Sequence, residues 1–393
     1  MFTAVSPALH KALRSPTAQV YSMTNLRHYE KHANECTEIF INLMKEKEGQ
    51  KVDLTEHFQW YAFDVIASVT FQRRLGFMET RKDVFGMIEF SDLLGLYFAF
   101  IGQLPFLHPY MFGNRTLIRF LKWANPSFPD PLGDLFERID NEMQLYDREE
   151  KSEDRKDFLA QLRAKDDPSR PYYKRDMMNH LSNNVLAGSD TTAVALRAIF
   201  YFLVKNPRVY KKLMDEIDEN DRAGKLSSMV TYEQVLAMPY LQAVIKEAMR
   251  VHPSNCWPLE RVVPDEGATV CNIDLPKGTI VSTTAPLINT NTDIFGADAK
   301  EFNPERWLEA DTEKLRIMDR TYFTFGAGSR ACIGRNIALL EITKFVPQIL
   351  RTFEIEWAAD SAEWEIFSAW FYKQKGLVFK WKSRPKLRLA DAV

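Results

Sequence analysis

Cysteine is scarce in this sequence, and what there is lies scattered. Four cysteines, at positions 36, 256, 271 and 332, are spread over 393 residues with no C-x-x-C pair. That excludes a zinc site of paired cysteines and a disulfide framework, and it suits a reducing compartment. An excess of one charge is also missing: 51 Lys and Arg stand against 53 Asp and Glu. With no dense basic run, the chain does not read as a nucleic-acid binder. Long hydrophobic runs are lacking. The best candidate, 93–101, is too short to cross a bilayer, and the N-terminus has no basic-then-apolar signal pattern. There is no internal repeat and no low-complexity tract. What remains is 46 % hydrophobic, enough for one large core or two ordinary ones.

The apolar periodicity is helical through the first two-thirds of the chain. Helices are expected over 10–23, 29–45, 57–71, 177–204, 209–219 and 232–251, the fourth stopped by Asn206-Pro207. Residues 93–112 are crowded with aromatics and broken by Pro105 and Pro109. The polar run 149–170 reads as a helix end and a solvated loop. The period then changes: 260–263, 269–273, 279–282, 353–357 and 377–381 read as strands around Pro and Gly turns. Helices first and a small sheet later indicate a mainly α fold with a minor β region.

One segment carries most of the chemistry. Phe325-Gly326-Ala327-Gly328-Ser329-Arg330-Ala331-Cys332-Ile333-Gly334 sets a cysteine in a glycine-rich turn, after the extended-looking run 322–325 and before a helix over 337–350. Orphan N–H groups and the positive dipole end at a helix start favour a thiolate there. Glycines let the backbone approach a flat ligand, and Arg330 can reach a negative group on it. This arrangement suits a heme iron held from one side by sulfur. Cys36, Cys256 and Cys271 read instead as small buried apolar residues. A rival reading is the dinucleotide fingerprint G-x-G-x-x-A over Gly326–Ala331, with acids on a following strand. It leaves Phe325, Arg330, Cys332 and Gly334 without a reason.

Phe-x-x-Gly-x-Arg-x-Cys-x-Gly resembles the heme-binding signature of the cytochrome P-450 superfamily at every defining position. Three further segments carry the resemblance. Ala187-Gly188-Ser189-Asp190-Thr191-Thr192, weak helix-forming sequence inside a long helix, matches the oxygen-activation segment. Without the cysteine motif it would read equally well as a helix N-cap. Glu247-x-x-Arg250 places both side chains on one helix face, and Pro304-Glu305-Arg306-Trp307 matches the family's downstream motif. The sequence is similar to fungal microsomal members of the pisatin demethylase type. Such members usually begin with a membrane anchor and sit on the cytosolic face of the endoplasmic reticulum. Met1 falls just before the family's third major helix, so the chain is expected to be an N-terminally shortened member, cytoplasmic or peripheral to the membrane.

The resemblance implies a single cytochrome P-450 domain over 1–393, helix-rich over 1–253, β-containing over 254–300 and 354–382, with the heme-cysteine loop at 323–334. It implies heme b (iron protoporphyrin IX) as cofactor. Cys332 would be the iron ligand, shaped by Phe325, Gly328 and Gly334. Arg330, Arg261 and Arg14 would hold the propionates, with His10 where many members have tryptophan. Thr191 would hydrogen-bond dioxygen and Asp190 would relay protons to it, with Ala187 and Gly188 leaving space over the heme. Glu247, Arg250 and Arg306 would form a buried structural network. Ala187, Cys256, Trp257, Trp370 and Phe371 would line the pocket, and 93–112 would form the access channel and touch the membrane. The implied reaction inserts one oxygen atom from dioxygen into a small apolar organic substrate, with electrons from an NADPH-dependent flavoprotein reductase, in fungal secondary metabolism or detoxification. The alternatives are an inactive heme-binding remnant and the dinucleotide-dependent dehydrogenase.

Overall fold

A computed structural model describes residues 4–111, 114–125, 130–148, 155–165 and 173–385. Half of the expected 149–170 stretch, 149–154 and 166–170, therefore lies outside the described residues. The helices are α1 (Pro7–Arg14), α2 (Met23–Glu46), α3 (Leu54–Phe71), α4 (Phe77–Thr80), α5 (Met87–Gln103), α6 (Arg115–Ala124), α7 (Pro131–Arg148), α8 (Phe158–Arg163) and α9 (Tyr173–Lys205). They continue as α10 (Pro207–Arg222), α11 (Tyr232–Leu236), α12 (Pro239–Val251), α13 (Ala285–Asn289), α14 (Thr292–Phe295), α15 (Arg306–Glu309), α16 (Thr312–Thr321) and α17 (Arg335–Thr352). Strands are β1 (Lys51–Asp53), β2 (Arg261–Val262), β3 (Ala268–Val270), β4 (Ile273–Leu275), β5 (Ile280–Val281), β6 (Phe353–Trp357), β7 (Glu365–Ser368), β8 (Tyr372–Lys375) and β9 (Val378–Ser383).

The core lies between α2, α3, α9 and α17. Helix α3 is capped by Asp53, whose carboxylate accepts from Thr55 N, and from His57 to Phe71 every residue is buried. An all-round buried helix has to sit at the centre of a large fold. Phe40, Phe58, Tyr61, Phe200 and Phe345 interlock there as stacked and edge-on rings with centroids 4.1–6.1 Å apart. Gly188 of α9 meets α3 directly: a Cβ at this position would lie 2.7 Å from Ile66 Cγ1. This glycine serves the helix–helix approach, which corrects the expectation that it leaves space over the heme.

Every strand pair in the described residues is antiparallel. The order β1–β9–β6 forms a three-stranded sheet, and β2–β5, β3–β4 and β7–β8 are separate pairs. No βαβ unit precedes Gly326, which removes the dinucleotide reading. Several expectations are corrected. The strand placed at 269–273 is a tight hairpin, turned by Cys271 and Asn272 at positive φ of 51° and 61°, so Cys271 is exposed rather than buried. The 322–325 run is not a strand, because side chains hold its backbone: Phe323 N donates to Asn289 Oδ1 at 2.9 Å and Thr324 Oγ1 to the Met249 carbonyl at 2.9 Å. The 232–251 helix breaks where Pro239 starts α12. Helix α1 stops at Arg14, before Pro16, and a 3₁₀ turn follows.

The segment 84–103 runs for 20 residues and, by length and composition, is apolar enough to cross a bilayer. The expectation that no run reaches that length is corrected, since the helix continues through Glu89 and Asp92. One side of it packs inward through Met87, Ser91, Gly95 and Ile101. Leu93, Leu96 and Phe100 are exposed.

Candidate active site

The cysteine loop is built by its own backbone. Gly326 and Gly328 take φ near +65°, Gly326 N donates to Phe323 O at 2.9 Å, and Cys332 N donates to Phe325 O at 2.8 Å. Cys332 sits three residues before α17. Burial pushes its thiol up; N–H groups of Gly334 and Arg335, and the charges of Arg14 and Arg335, act the other way. Yet Cys332 is solvent-exposed.

Cations gather at this loop. Arg14 Nη2 donates to the Ala331 carbonyl at 2.8 Å, and Arg330 reaches the Val5 carbonyl at 3.4 Å. His10 is buried beside both: burial, then Arg330, then Arg14, hold its pKa below the ordinary value. The structure thus brings His10, Arg14 and Arg330 together at Cys332. Arg261 does not join them through any contact; it is exposed on β2 and donates to the neighbouring Glu260 carbonyl.

Helix α9 runs unbroken through 187–192, so Ser189 and Asp190 cap nothing. Ala187 is exposed in the middle of this helix. Thr191 Oγ1 donates to the Ala187 carbonyl at 2.8 Å, leaving its lone pairs open. Asp190 points to the other side. Its buried carboxylate accepts from Gln59 Nε2, Ser91 Oγ and, at 3.2 Å, Lys373 Nζ. Gln59 in turn accepts from Arg197 at 2.6 Å; burial lowers the Arg197 pKa to about 10 against the pull of Asp190 and Asp92.

The expected pocket residues form one wall. Ser254 Oγ donates to the Thr191 carbonyl at 2.7 Å, and Tyr372 N to Ser254 O at 3.0 Å. Asn255 bridges to Phe371. Cys256 Sγ lies 3.1 Å from Ser368 Oγ. The Trp257 and Trp370 rings stack at 6.0 Å, with Phe98 of α5 edge-on to Trp370. All of these residues are half-buried except Ser368, which is exposed.

Glu247 is fully buried and satisfied on both oxygens. Arg250 donates to it twice at 2.8 Å, Arg306 Nε and Trp307 Nε1 each at 2.8 Å, and Asn303 N at 3.0 Å. Arg250 spends its remaining donors on the carbonyls of Asn289, Ala299 and Glu301. Asn289 carries the network to the cysteine loop through Phe323 and Thr324. Sequence reasoning missed the roles of Asn289, Gln59, Ser91, Arg197 and Lys373, whose partners lie tens to hundreds of residues away and leave no spacing signal.

A single sulfur is the donor set at the loop. Among the described residues no group of three His, Cys, Asp or Glu side chains is placed to hold a metal ion. A metal at Cys332 has to bring its other ligands with it, as iron in a porphyrin does, and the neighbouring cations match a porphyrin's carboxylates. The residues present fit that group. The sequence model of the family described as Cytochrome P450 matches residues 2–381. The chain belongs to the cytochrome P450 family. That membership implies a heme-thiolate cofactor, dioxygen and a redox partner. This P450 is 36 % identical over 365 residues to a cytochrome P450 monooxygenase of Aspergillus terreus, covering 90 % of the chain and 73 % of the relative. It is 34 % identical to cytochrome P450 monooxygenase cicH of Emericella nidulans, covering 96 % and 75 %. Pisatin demethylase of Fusarium vanettenii is 35 % identical, with 95 % of this chain and 71 % of that protein covered.

Proposed function

We propose that this protein is a heme b monooxygenase that inserts one oxygen atom of dioxygen into a small apolar organic substrate, in fungal secondary metabolism or detoxification. Electrons come from an NADPH-dependent flavoprotein reductase. The observation that carries this reading is Cys332, exposed on its glycine-rich loop, with Arg14 bonded to the neighbouring Ala331 carbonyl and His10 buried beside Arg14 and Arg330. Heme, when bound, supplies the oxygen and electron chemistry.

The chain's own residues do the rest. Cys332 offers its sulfur, which a coordinated metal keeps deprotonated. Phe325, Gly328 and Gly334 shape the loop around it. Arg14 and Arg330 offer guanidinium forks to the propionates, with Arg261 assigned there by resemblance alone. Thr191 presents a hydroxyl with free lone pairs, and Asp190, given a proton-relay role by resemblance, is held on the other side of α9 by Gln59, Ser91 and Lys373. Ala187, Cys256, Trp257, Trp370 and Phe371 exclude water and pack the substrate. Glu247, Arg250 and Arg306 hold the loop's scaffold in place. The exposed apolar side chains Leu93, Leu96, Phe100, Phe106 and Tyr110 suit contact with the cytosolic face of the endoplasmic reticulum membrane.

The carbon monoxide difference spectrum of the reduced protein tests the reading. A thiolate-type Soret shift is expected, and Cys332→Ser abolishes it. Product formation with added reductase and NADPH separates the enzyme from a chain that binds heme without turnover.

A further inference from the structure

Helix α5, the β7–β8 hairpin and α9 meet at one ammonium group. Lys373 of β8 pairs with Asp190 of α9 at 3.2 Å and with Asp92 of α5. The two carboxylates differ sharply in setting: the Asp190 side chain is 0 % exposed and that of Asp92 is 52 % exposed, with Lys373 at 12 %. Ser91, next to Asp92, also donates to Asp190. Ser91, Asp92, Gly95, Trp370, Phe371 and Lys373 line a narrow crevice of about 10 Å³ at this junction, room for one water in this closed arrangement. Arg197, the other cation near Asp190, reaches it only through Gln59.

The hairpin is fixed from behind. Gln374 Nε2 donates to the Val194 carbonyl of α9 at 3.0 Å, and Tyr372 is bonded to Ser254. Helix α5 is less firmly held. It starts from Phe85 and Gly86, both at positive φ (57° and 63°), and ends at Leu104-Pro105. A non-glycine residue in the left-handed region beside a glycine is a place where backbone rotation can be absorbed. Apart from the Lys373 bridge and the Ser91 bond, α5 meets its neighbours here through ring contacts such as Phe98 on Trp370.

We propose that Lys373 is a positioning residue: by bridging Asp190 and Asp92 it latches α5 against the β7–β8 hairpin at the rim of the pocket and fixes the Asp190 carboxylate on the α5 side of α9. The Asp92 end is the weak one, because an ion pair with a half-exposed partner is worth little in water. The Asp190 end is the strong one, because a buried carboxylate left without its cation is costly. Opening for a ligand therefore breaks Lys373–Asp92 first and leaves Asp190 paired. One ammonium group thus holds both the pocket rim and the acid next to Thr191. The inference rests on the reading of this pocket as the substrate site; the latch itself is tested without turnover.

Hydrogen exchange of the full-length, heme-loaded protein, followed by mass spectrometry, reads the latch. Lys373→Met should raise exchange over 87–103 on the order of tenfold, with the α2–α3 core unchanged as control, because both ends of the bridge are lost. Asp92→Asn should raise it up to about fivefold, and Lys373→Arg should restore the parental rate. If Lys373→Met does not fold, the Lys373→Met/Asp190→Asn pair removes the stranded carboxylate and is measured instead. Exchange over 87–103 within about twofold of the parent in whichever of these folds overturns the proposal. Faster exchange in a protein that shows no thiolate-type spectrum leaves the latch standing and removes the enzyme reading.

Discussion

Glu247 and Asp190 are both fully buried carboxylates, and the fold treats them in opposite ways. Glu247 is sealed among two guanidinium groups, an indole N–H and a backbone N–H, and its partner Arg250 ends on three carbonyls. Its one way outward is Arg306, which also pairs with the half-exposed Asp298 at 2.9 Å, while Arg250 holds Glu247 independently. Asp190 sits beside an exposed turn of α9, and its cation leads through Asp92 to the surface. The closed cluster fixes a shape. The open one couples a buried acid to a pocket rim and to solvent. A buried acid with two guanidinium partners stays paired when one of them lets go, whereas Asp190 has Lys373 as its one ion-pair partner and depends on it.

The largest effect expected from that contrast is at Glu247. Glu247→Ala strands two buried arginines and should cost about 3–5 kcal/mol, with loss of heme incorporation; denaturant unfolding and heme content check it, and a stable holoprotein would contradict the assignment. Asp190→Asn should behave differently. The asparagine oxygen can still accept from Gln59, the Ser91 hydroxyl can turn to accept from its NH2, and Lys373 keeps Asp92, so the stability loss should be smaller than at Glu247. Turnover should fall on the order of 10²-fold, the scale of a lost general acid–base group. Equal stability losses at the two sites would erase the distinction.

The closed cluster was legible in the sequence and the open one was not. Glu247-x-x-Arg250 shares a helix face, and Arg306 belongs to a recognisable motif, so their meeting could be anticipated. Asp190 was also visible, as a polar residue in a long apolar helix. Its partners were not: Gln59 is hidden in a helix read as core, Ser91 in an aromatic-rich stretch, and Lys373 in a short strand with no distinguishing pattern. Tertiary packing alone brings them together. The same limit explains the 322–325 run. Its aromatic, β-branched composition favours a strand, but Asn289 and Met249 take its hydrogen bonds first.

Gly188 sharpens the comparison from the other side, since it separates the packing face of α9 from the face carrying Ala187. Gly188→Ala places a methyl carbon 2.7 Å from Ile66 Cγ1 and 2.9 Å from Cδ1. Overpacking of this kind costs about 1–3 kcal/mol. Adding Ile66→Val, which removes the Cδ1 methyl, should recover part of that loss in thermal unfolding. Unchanged stability in Gly188→Ala would show that the glycine does not set the α3–α9 approach.

The smallest effect lies at the edge of the closed cluster. Glu305, next to Arg306, accepts from both Arg208 guanidinium nitrogens at 2.6 and 3.1 Å, from Lys212 at 3.1 Å and from Tyr240 at 3.0 Å. The Arg208 fork above all lowers its pKa from 4.5 to about 2. A carboxylate held lower in the folded chain than in the unfolded one adds stability above the unfolded value, and that stability is lost as protons arrive first on the unfolded chain. The Glu305 contribution should thus be complete above about pH 4.5 and fade between there and about pH 2. Glu305→Gln should flatten this acid limb in denaturant midpoints measured at successive pH values. An acid limb that is equally steep in Glu305→Gln and the parent would show that the Arg208 fork does not hold Glu305 ionised.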